Sequence, residues 1–259
     1  MTTTLITGAN KGLGYEAARR LLASGHDVWV AARDGERGRR AEDELGARFV
    51  QLDVTSEESI TAAATAVQAE TGLDVLINNA GIAGPHTRIT ELAAADVEHV
   101  YDTNVFGPVR VTQAFIPLLQ RSSAPVIVNV SSGLGSETLV RDPERSEFTV
   151  NSVAYCSSKS ALIMITTQYA KGYPDIRINA VDPGYTATDP EPRQRPANRA
   201  GGHRRDRRDG EHRPRRPDRH LHRPPRRSAV VKRRSADTRN VTNGSTGRDV
   251  ATRVRGRRP

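Results

Sequence analysis

Tyr155 and Lys159 are a pair of residues whose types and spacing could do acid–base chemistry. Residues four positions apart lie one turn apart on the same face of a helix. A phenol is a weak acid with an ordinary pKa of about 10, and a neighbouring ammonium group lowers that pKa by stabilising the phenolate. A Tyr-x-x-x-Lys pair can therefore donate or accept a proton near neutral pH. The same spacing also occurs in ordinary amphipathic helices, so the pair needs support from the rest of the chain.

The charge of the chain is unevenly distributed. Of the 259 residues, positions 1–189 hold 16 Lys and Arg against 23 Asp and Glu, whereas positions 190–259 hold 23 against 7. The formal charge of +9 therefore combines −7 in the first part with +16 in the second. All aromatic residues and all Ile, Met and Cys precede residue 190, so only the first part can build a packed core. We predict a folded domain over residues 1–189 and a basic, disordered tail over residues 190–259.

Cysteine usage and the N-terminal sequence predict a soluble, cytoplasmic protein. The single Cys156 cannot form an intramolecular disulfide and fits a reducing compartment. The residues from Met1 onward show no basic region followed by a long apolar run, so no secretory signal is predicted. No stretch approaches the roughly 20 apolar residues that span a bilayer, so we expect no membrane contact.

A glycine-rich loop joins the first predicted strand to the first predicted helix. Thr3 to Thr7 is rich in β-formers, Gly8-Ala-Asn-Lys-Gly-Leu-Gly14 follows, and a helical pattern runs from Tyr15 to Ala23. In this context the backbone can approach a pyrophosphate closely, and the helix N-terminus offers free N–H groups. The alternative is a plain tight turn. We predict that the loop binds a dinucleotide through Gly8, Asn10, Lys11, Gly12, Leu13 and Gly14.

The residues after the second predicted strand bear on the choice of dinucleotide. The strand covers Asp27 to Ala32, and Arg33 follows it. An acid near this position holds the ribose hydroxyls of NAD, whereas an Arg accommodates the 2′-phosphate of NADP. Arg33 and Lys11 could both face that phosphate, which favours NADP(H) over NAD(H). Asp34 keeps NAD(H) open, since it would serve the ribose if the strand ended one residue later.

Three further strands end in polar or small residues. Arg48 to Leu52 precedes Asp53 and Val54, where a strand-terminal acid suits an adenine amino group. Val75 to Ile77 runs into Asn78-Asn79-Ala80-Gly81, whose small side chains let the backbone lie along a cofactor. Val126 to Val130 ends in Ser131-Ser132-Gly133. Because ligands bind at the carboxyl ends of parallel strands, a serine hydroxyl here could hydrogen-bond a substrate carbonyl.

The remaining elements complete an alternation of strands and helices. A helix is predicted over residues 93–120, with Asn104 near its middle and an interruption at Gly107-Pro108. Residues 134–151 form a polar insert of the kind that rims a pocket, and the helix of Tyr155 follows it. Arg177 to Val181 is the sixth strand. Six strands alternating with helices predict an α/β fold, a doubly wound parallel sheet of the Rossmann type.

In this order the motifs of residues 3–189 resemble the short-chain dehydrogenase/reductase (SDR) family, and within it the carbonyl-reductase-like members. The resemblance implies a catalytic tetrad of Asn104, Ser132, Tyr155 and Lys159. The choice of Ser132 over Ser131 follows the family's use of the second serine. The implied cofactor contacts outside the glycine loop are Arg33, Asp53, Val54, Asn79, Ala80, Gly81, Tyr155, Lys159, Pro183, Gly184, Thr186 and Thr188.

The resemblance also implies a reaction. Ser132 and Tyr155 would hydrogen-bond the oxygen of an aldehyde, ketone or quinone, which NADPH reduces to the alcohol, or the reverse reaction would run. Lys159 would hold the nicotinamide ribose and lower the pKa of Tyr155, and Asn104 would position a water in a proton relay. No metal is expected, and Cys156 is expected to be structural. The helices over residues 93–120 and 152–172 resemble the family's oligomer faces, which makes a homo-oligomer an open expectation.

The resemblance stops after Asp189. The family would continue with a substrate-covering helix and a last strand, both of which are missing from the sequence that begins Pro190-Glu-Pro-Arg. A basic arm for nucleic acid is one explanation, but the tail lacks aromatic residues and any recognisable binding module, which argues against it. Losing the last strand and the helix would expose a sheet edge and open the site to water. We therefore also expect an alternative in which the chain is a poorly stable, catalytically impaired relative that at most binds cofactor.

A frameshift is a second hypothesis for the tail. Relatives often read Asp-Leu-Asn at this point, and one C inserted into GAC CTG AAC CGN gives GAC CCT GAA CCG. The latter encodes Asp-Pro-Glu-Pro, the sequence of residues 189–192. The nucleotide sequence around codon 190 decides the matter: if removing a base restores no apolar strand or helix downstream, the hypothesis is wrong.

Overall fold

The computed structural model describes residues 1–85 and 88–184. It contains the strands β1 (Thr3–Thr7), β2 (Asp27–Ala32), β3 (Arg48–Gln51), β4 (Val75–Asn78), β5 (Val126–Val130) and β6 (Arg177–Val181). They pair in parallel in the order β3-β2-β1-β4-β5-β6. The order reverses between β1 and β4, which creates a crevice at the carboxyl ends of the strands. This confirms the predicted doubly wound parallel sheet.

Seven α-helices connect these strands. They are α1 (Gly12–Ala23), α2 (Gly35–Leu45), α3 (Glu57–Glu70), α4 (Ala94–Tyr101), α5 (Gly107–Leu119), α6 (Glu137–Arg141) and α7 (Val153–Gly172) within the described ranges. Capping side chains set several helix starts: the Asp34 carboxylate accepts a hydrogen bond from Arg37 N–H, and Ser56 Oγ accepts one from Ser59 N–H. The tail and residues 86–87, with the predicted cofactor residues Thr186 and Thr188, lie outside the described residues.

The strands β1 and β2 are buried on both faces, to which their alternate residues point, whereas β6 is mostly exposed. On one face, Leu5 and Trp29 pack in a core cluster with Phe115 of α5. On the other, Ile6 and Val28 pack with helix residues of α1 and α2. This layering places the polar strand ends, and not the strand centres, where a ligand can reach them.

The helix predicted over residues 93–120 is broken earlier than expected. A π-helical turn, Asp102–Phe106, separates α4 from α5 and contains Asn104. The predicted break at Gly107-Pro108 is wrong, because Gly107 N–H donates to Asp102 O and Pro108 fits the first turn of α5, where its missing N–H is tolerated. Single π-turns of this kind often mark functional positions.

The predicted polar insert over residues 134–151 contains short helices. A 3₁₀ turn (Gly133–Gly135) follows β5, α6 comes next, and a second 3₁₀ turn (Ser146–Thr149) precedes α7. Ser136 Oγ caps α6 by accepting a hydrogen bond from Leu139 N–H. In the described part of the chain, no helix has the length and apolar character to cross a membrane.

Candidate active site

A cavity of about 430 Å³ lies at the carboxyl ends of β1 to β4. Its wall contains the predicted cofactor residues Gly8, Asn10, Lys11, Gly12, Leu13, Arg33, Asp53, Val54, Asn79, Ala80 and Gly81. The wall also contains residues that the sequence did not suggest: Leu52, Thr55, Ile82 and Thr103. A second cavity, of about 530 Å³, lies beside Gln120, Pro125 and Tyr173 and includes none of the predicted site residues.

Hydrogen bonds and close packing set the conformation of the glycine loop. Thr7 Oγ1 accepts from the N–H groups of Asn79 and Ala80, both at 3.0 Å, and Asn79 Nδ2 donates to Thr7 O at 2.8 Å. Gly8 has φ +65°, in the left-handed region that favours glycine. Gly14 is buried behind the loop instead of lining the cavity, and a Cβ there would lie 2.5 Å from Asn79 Nδ2. The end of β4 and the loop are therefore fitted to each other.

The charged groups after β2 divide between the cavity and a helix. Arg33 lines the cavity with Lys11. The Asp34 carboxylate instead caps α2, accepting from Arg37 N–H at 3.0 Å and lying 3.4 Å from the Arg37 guanidinium. The hydrogen bond from the Arg37 backbone holds the pKa of Asp34 below its ordinary value. The Asp34 carboxylate is thus engaged in capping α2, while Arg33 and Lys11 line the cavity.

Ser132 lies beside Tyr155 at the carboxyl end of β5, where its hydroxyl works to lower the pKa of the Tyr155 phenol. Ser132 Oγ also accepts from Leu134 N–H at 3.2 Å, which orients it. Ser131 is buried and points elsewhere, because its Oγ donates to Lys159 O at 3.3 Å. Of the two serines, the structure brings Ser132 to Tyr155.

Lys159 is almost fully buried, and burial lowers its pKa to about 8. Its Nζ donates to Val130 O at 2.8 Å and lies 5.6 Å from the centroid of the Tyr155 ring. Burial raises the pKa of Tyr155 above its ordinary value; Ser132 opposes this shift, whereas Cys156 and Asp182 add to it. The pKa of Tyr155 is therefore raised and not lowered as expected, and the neighbour that opposes the shift is Ser132, not Lys159.

Asn104 ties the π-helical turn to two neighbouring segments. Its Oδ1 accepts from Ile82 N–H at 2.8 Å, and its Nδ2 donates to Ile82 O at 2.9 Å and to Ser158 Oγ at 3.1 Å. A Cβ built on Gly81 would lie 3.3 Å from Asn104 Oδ1 and 3.6 Å from Lys159 Nζ. The cavity wall and the tetrad residues therefore meet at Gly81.

Not every predicted residue lies at the cavity. Pro183 and Gly184 follow β6 but are not part of the cavity wall. Gly184 N–H donates to Asp182 Oδ1 at 3.0 Å. The predicted cofactor residues Pro183 and Gly184 thus lie outside the cavity wall that holds most of the others.

The sequence of the chain matches that of a known enzyme family. The sequence profile of the family described as short chain dehydrogenase matches residues 2–199. The chain belongs to this family. The match spans most of the chain and includes the glycine loop and all four tetrad positions, which confirms the resemblance inferred from the motifs. The protein is an NAD(P)-dependent short-chain dehydrogenase/reductase.

Relatives of this short-chain dehydrogenase include plant enzymes and an animal reductase. (+)-Neomenthol dehydrogenase of Arabidopsis thaliana is 33% identical over 245 residues, covering 71% of this chain and 83% of that protein. (−)-Isopiperitenone reductase of Mentha piperita is 32% identical over 264 residues, covering 71% and 84%. The crystal structure of NADPH-bound carbonyl reductase from chicken fatty liver has a TM-score of 0.66 at 32% identity, covering 73% of this chain and 81% of that one.

Two acidic residues beside the tetrad of this dehydrogenase were missed by sequence reasoning. A Cβ built on Gly133 would lie 2.8 Å from Glu147 Oε1 and 3.0 Å from Asp182 Oδ2. Asp182 follows β6 directly, so its position at a strand's carboxyl end was a usable signal. Glu147 lies in the insert and is paired with Arg145, a contact that no sequence spacing indicates.

The lowered pKa of Lys159 predicts a pH-dependent stability of the dehydrogenase. Below about pH 8 the folded and unfolded chains both hold the proton. Between about pH 8 and the ordinary lysine pKa of 10.5, only the unfolded chain binds this proton. The free energy of unfolding therefore rises with pH over that range. Relative to Lys159→Met, the unchanged chain should gain about 2 kcal/mol between roughly pH 7 and pH 9.5.

Urea unfolding of both proteins at the two pH values measures this difference. Lys171→Met is the matched control, because Lys171 is an exposed lysine of the same helix. It should leave the pH dependence of the unchanged chain intact. If Lys159→Met and Lys171→Met respond to pH alike, the buried lysine is not the group responsible.

Proposed function

We propose that this dehydrogenase transfers hydride between NADP(H) and a small-molecule carbonyl or alcohol, with Tyr155 as the proton donor in reduction. The observation that carries the proposal is the Ser132–Tyr155 hydroxyl pair, held beside Lys159 where the tetrad meets the cavity wall. A carbonyl oxygen placed at this pair would receive two hydrogen bonds and a proton. The names of the relatives, which include a carbonyl reductase, a neomenthol dehydrogenase and an isopiperitenone reductase, support the same reaction class.

The residues of the cavity fit a nicotinamide dinucleotide. The loop between β1 and α1 packs closely on Asn79 at Gly14, and its residues Gly8 and Asn10 to Leu13 line the cavity. The N-terminus of α1 would meet the pyrophosphate, and Asp53 and Val54 would flank the adenine. When bound, the nicotinamide supplies or accepts the hydride. Tyr155 then gives its proton to the substrate oxygen, and the raised pKa of the phenol keeps that proton in place at neutral pH.

Lys159 and Asn104 would support proton transfer in different ways. Lys159 Nζ is close enough to Gly81 to reach a ribose hydroxyl at the cavity wall. Asn104 would hold a relay water through its main-chain carbonyl, because Pro108, four residues on, has no N–H to donate to it. The relay would return a proton to Tyr155 after each turnover.

NADP(H) is the proposed cofactor because Arg33 and Lys11 line the cavity, whereas the carboxylate of Asp34, the candidate for holding the ribose, caps α2 instead. Arg33→Ser is expected to raise the Kd of NADPH about 10- to 100-fold, the loss expected for a charged hydrogen bond. The Kd of NADH should stay within about twofold, since NADH lacks the 2′-phosphate. Arg40→Ser is the control, because Arg40 is an exposed arginine of α2 outside the cavity wall. Equal losses for both cofactors would contradict the assignment.

Turnover itself is tested with NADPH and a panel of aldehydes, ketones and quinones. NADPH oxidation that depends on a carbonyl substrate supports the proposal. Cofactor binding without turnover on any panel member would favour the impaired relative instead. A salt-sensitive shift of DNA, with no cofactor binding, would favour the nucleic-acid alternative. Size-exclusion chromatography with light scattering decides whether the protein acts as a homo-oligomer.

A further inference from the structure

Ser158 lies between Tyr155 and Lys159 on α7, and its side chain is completely buried. Its hydroxyl bonds to the main-chain oxygen of Tyr155 and to the side chain of Asn104. We propose that Ser158 is a positioning residue that fixes the Asn104 amide and, with it, the π-helical turn. The inference rests on the proposed function, in which Asn104 takes part in proton transfer.

The direction of each hydrogen bond follows from proton counting. Ser158 Oγ donates to Tyr155 O at 2.7 Å, within the helix. A hydroxyl has one proton, so toward Asn104 the Ser158 oxygen can only accept. Asn104 must therefore turn an N–H toward Ser158, at 3.1 Å. The serine thus selects one of the two orientations of the Asn104 amide.

That orientation matches the other partner of Asn104. With Nδ2 on the Ser158 side, Nδ2 also donates to Ile82 O, 2.9 Å away, and Oδ1 accepts from Ile82 N–H, with 2.8 Å between nitrogen and oxygen. A flipped amide would set its oxygen against two acceptors, and its NH₂ against a donor. Because Asn104 is fully buried, water cannot compensate for those lost bonds. Ser158 therefore locks the amide that joins the segment after β4 to α7.

The locked amide lies next to the reacting groups. Asn104 Oδ1 and Lys159 Nζ both approach the same point above Gly81. The main-chain carbonyl of Asn104, proposed to hold the relay water, belongs to the same π-helical turn. Removing the Ser158 oxygen leaves the Asn104 amide with one fewer acceptor and lets the turn shift. The loss should fall on proton transfer, and hence on kcat, with little change in cofactor binding.

Ser158→Ala tests the proposal, with Ser157→Ala as its matched control. Ser157 Oγ makes the same kind of intrahelical bond, donating to Val153 O at 2.6 Å, whereas the side chain of Asn104 bonds to Ile82 and Ser158. Ser158→Ala should lower kcat about tenfold, with KM for NADPH and for the carbonyl substrate within about twofold. Ser157→Ala should leave kcat unchanged, and Ser158→Thr, which keeps the hydroxyl, should recover most of the activity. Equal kcat values in the two alanine variants would overturn the proposal.

A double-mutant cycle separates positioning through Asn104 from a general packing effect. In an Asn104→Ala background, Ser158→Ala should change kcat by less than about twofold, since the partner is already gone. If the tenfold loss persists in that background, Ser158 does not act through Asn104. Should Ser158→Ala fail to fold, Ser158→Cys, which retains only a weak acceptor, replaces it in the same cycle.

A measurement without turnover keeps the two proposals distinguishable. In protein made with isotopically labelled asparagine, the side-chain NH₂ signal of Asn104 is the one that disappears in Asn104→Ala. That signal should exchange faster with solvent in Ser158→Ala and stay unchanged in Ser157→Ala. If the chain shows no turnover but the signal behaves this way, the proposed function fails and the positioning contact stands. An unchanged signal in Ser158→Ala would overturn the contact itself.

Discussion

Replacing Tyr155 with Phe is expected to lower kcat by about 10²- to 10⁴-fold, the usual contribution of a general acid. The change removes one oxygen and its proton while keeping the ring that packs near Lys159. Ser132 then loses its phenol partner, and a carbonyl oxygen would receive one hydrogen bond in place of two. The Kd of NADPH should stay within a few-fold, because the cavity wall is unchanged.

Tyr173→Phe is the matched control for this substitution. Tyr173 follows the C-terminal end of α7 and therefore lies about five helical turns from Tyr155. Its ring stacks on that of Tyr169, with the ring centroids 6.1 Å apart. It should leave kcat unchanged. Initial rates with NADPH and an accepted carbonyl, together with a cofactor titration by fluorescence, measure both quantities. Turnover by Tyr155→Phe within a few-fold of the unchanged chain would exclude Tyr155 as the proton donor.

Strand positions were predictable because their signals are local. The β-rich runs of β1 and β2 gave the observed bounds, Thr3–Thr7 and Asp27–Ala32. A parallel sheet buried on both faces requires continuous apolar strands, and turn residues mark where they end. The polar residues that follow these strands were located for the same reason, which is why the sequence predicted most of the cavity wall.

The π-helical turn was not predictable, because it depends on contacts that are distant in sequence. In this turn the Gly107 N–H bonds to the carbonyl five residues earlier. Asn104, inside the turn, bonds to Ile82 and Ser158, which are 22 and 54 residues away in sequence. The pKa of Tyr155 was mispredicted for a related reason. The spacing of Tyr155 and Lys159 shows that a positive charge is close to the phenol in sequence. How deeply the phenol is buried, which raises its pKa most, depends on the whole fold.

Gly14→Ala is expected to destabilise the folded chain by about 1–3 kcal/mol, the usual cost of inserting a methyl group into a packed site. In an exposed helix the same change would stabilise by up to about 1 kcal/mol. Here the added Cβ would lie 2.5 Å from Asn79 Nδ2 and 2.9 Å from Ala9 Cα. Because Ala9 contributes backbone that cannot rotate away, the loop itself must move.

Movement of the loop should weaken cofactor binding as well as stability. Asn79 would have to give up its bonds to Thr7 O and Gly8 O, and those bonds hold the loop to the end of β4. The Kd of NADPH should rise about tenfold or more, equivalent to one lost hydrogen bond to the cofactor. Urea unfolding and a fluorescence titration measure the two effects separately.

Gly35→Ala provides the contrast that makes this prediction specific. Gly35 opens α2, and the nearest atoms to a Cβ there are 3.6 Å and 3.7 Å away, at ordinary contact distance. This substitution should leave cofactor binding unchanged and leave stability the same or raised by about 0.4–1 kcal/mol. If Gly14→Ala were as stable and as tight-binding as Gly35→Ala, the close packing of the loop on Asn79 would not control the shape of the cavity. A loss confined to Gly14→Ala would mean that this one contact, between a helix start and a strand end, sets the backbone path on which the dinucleotide is proposed to rest.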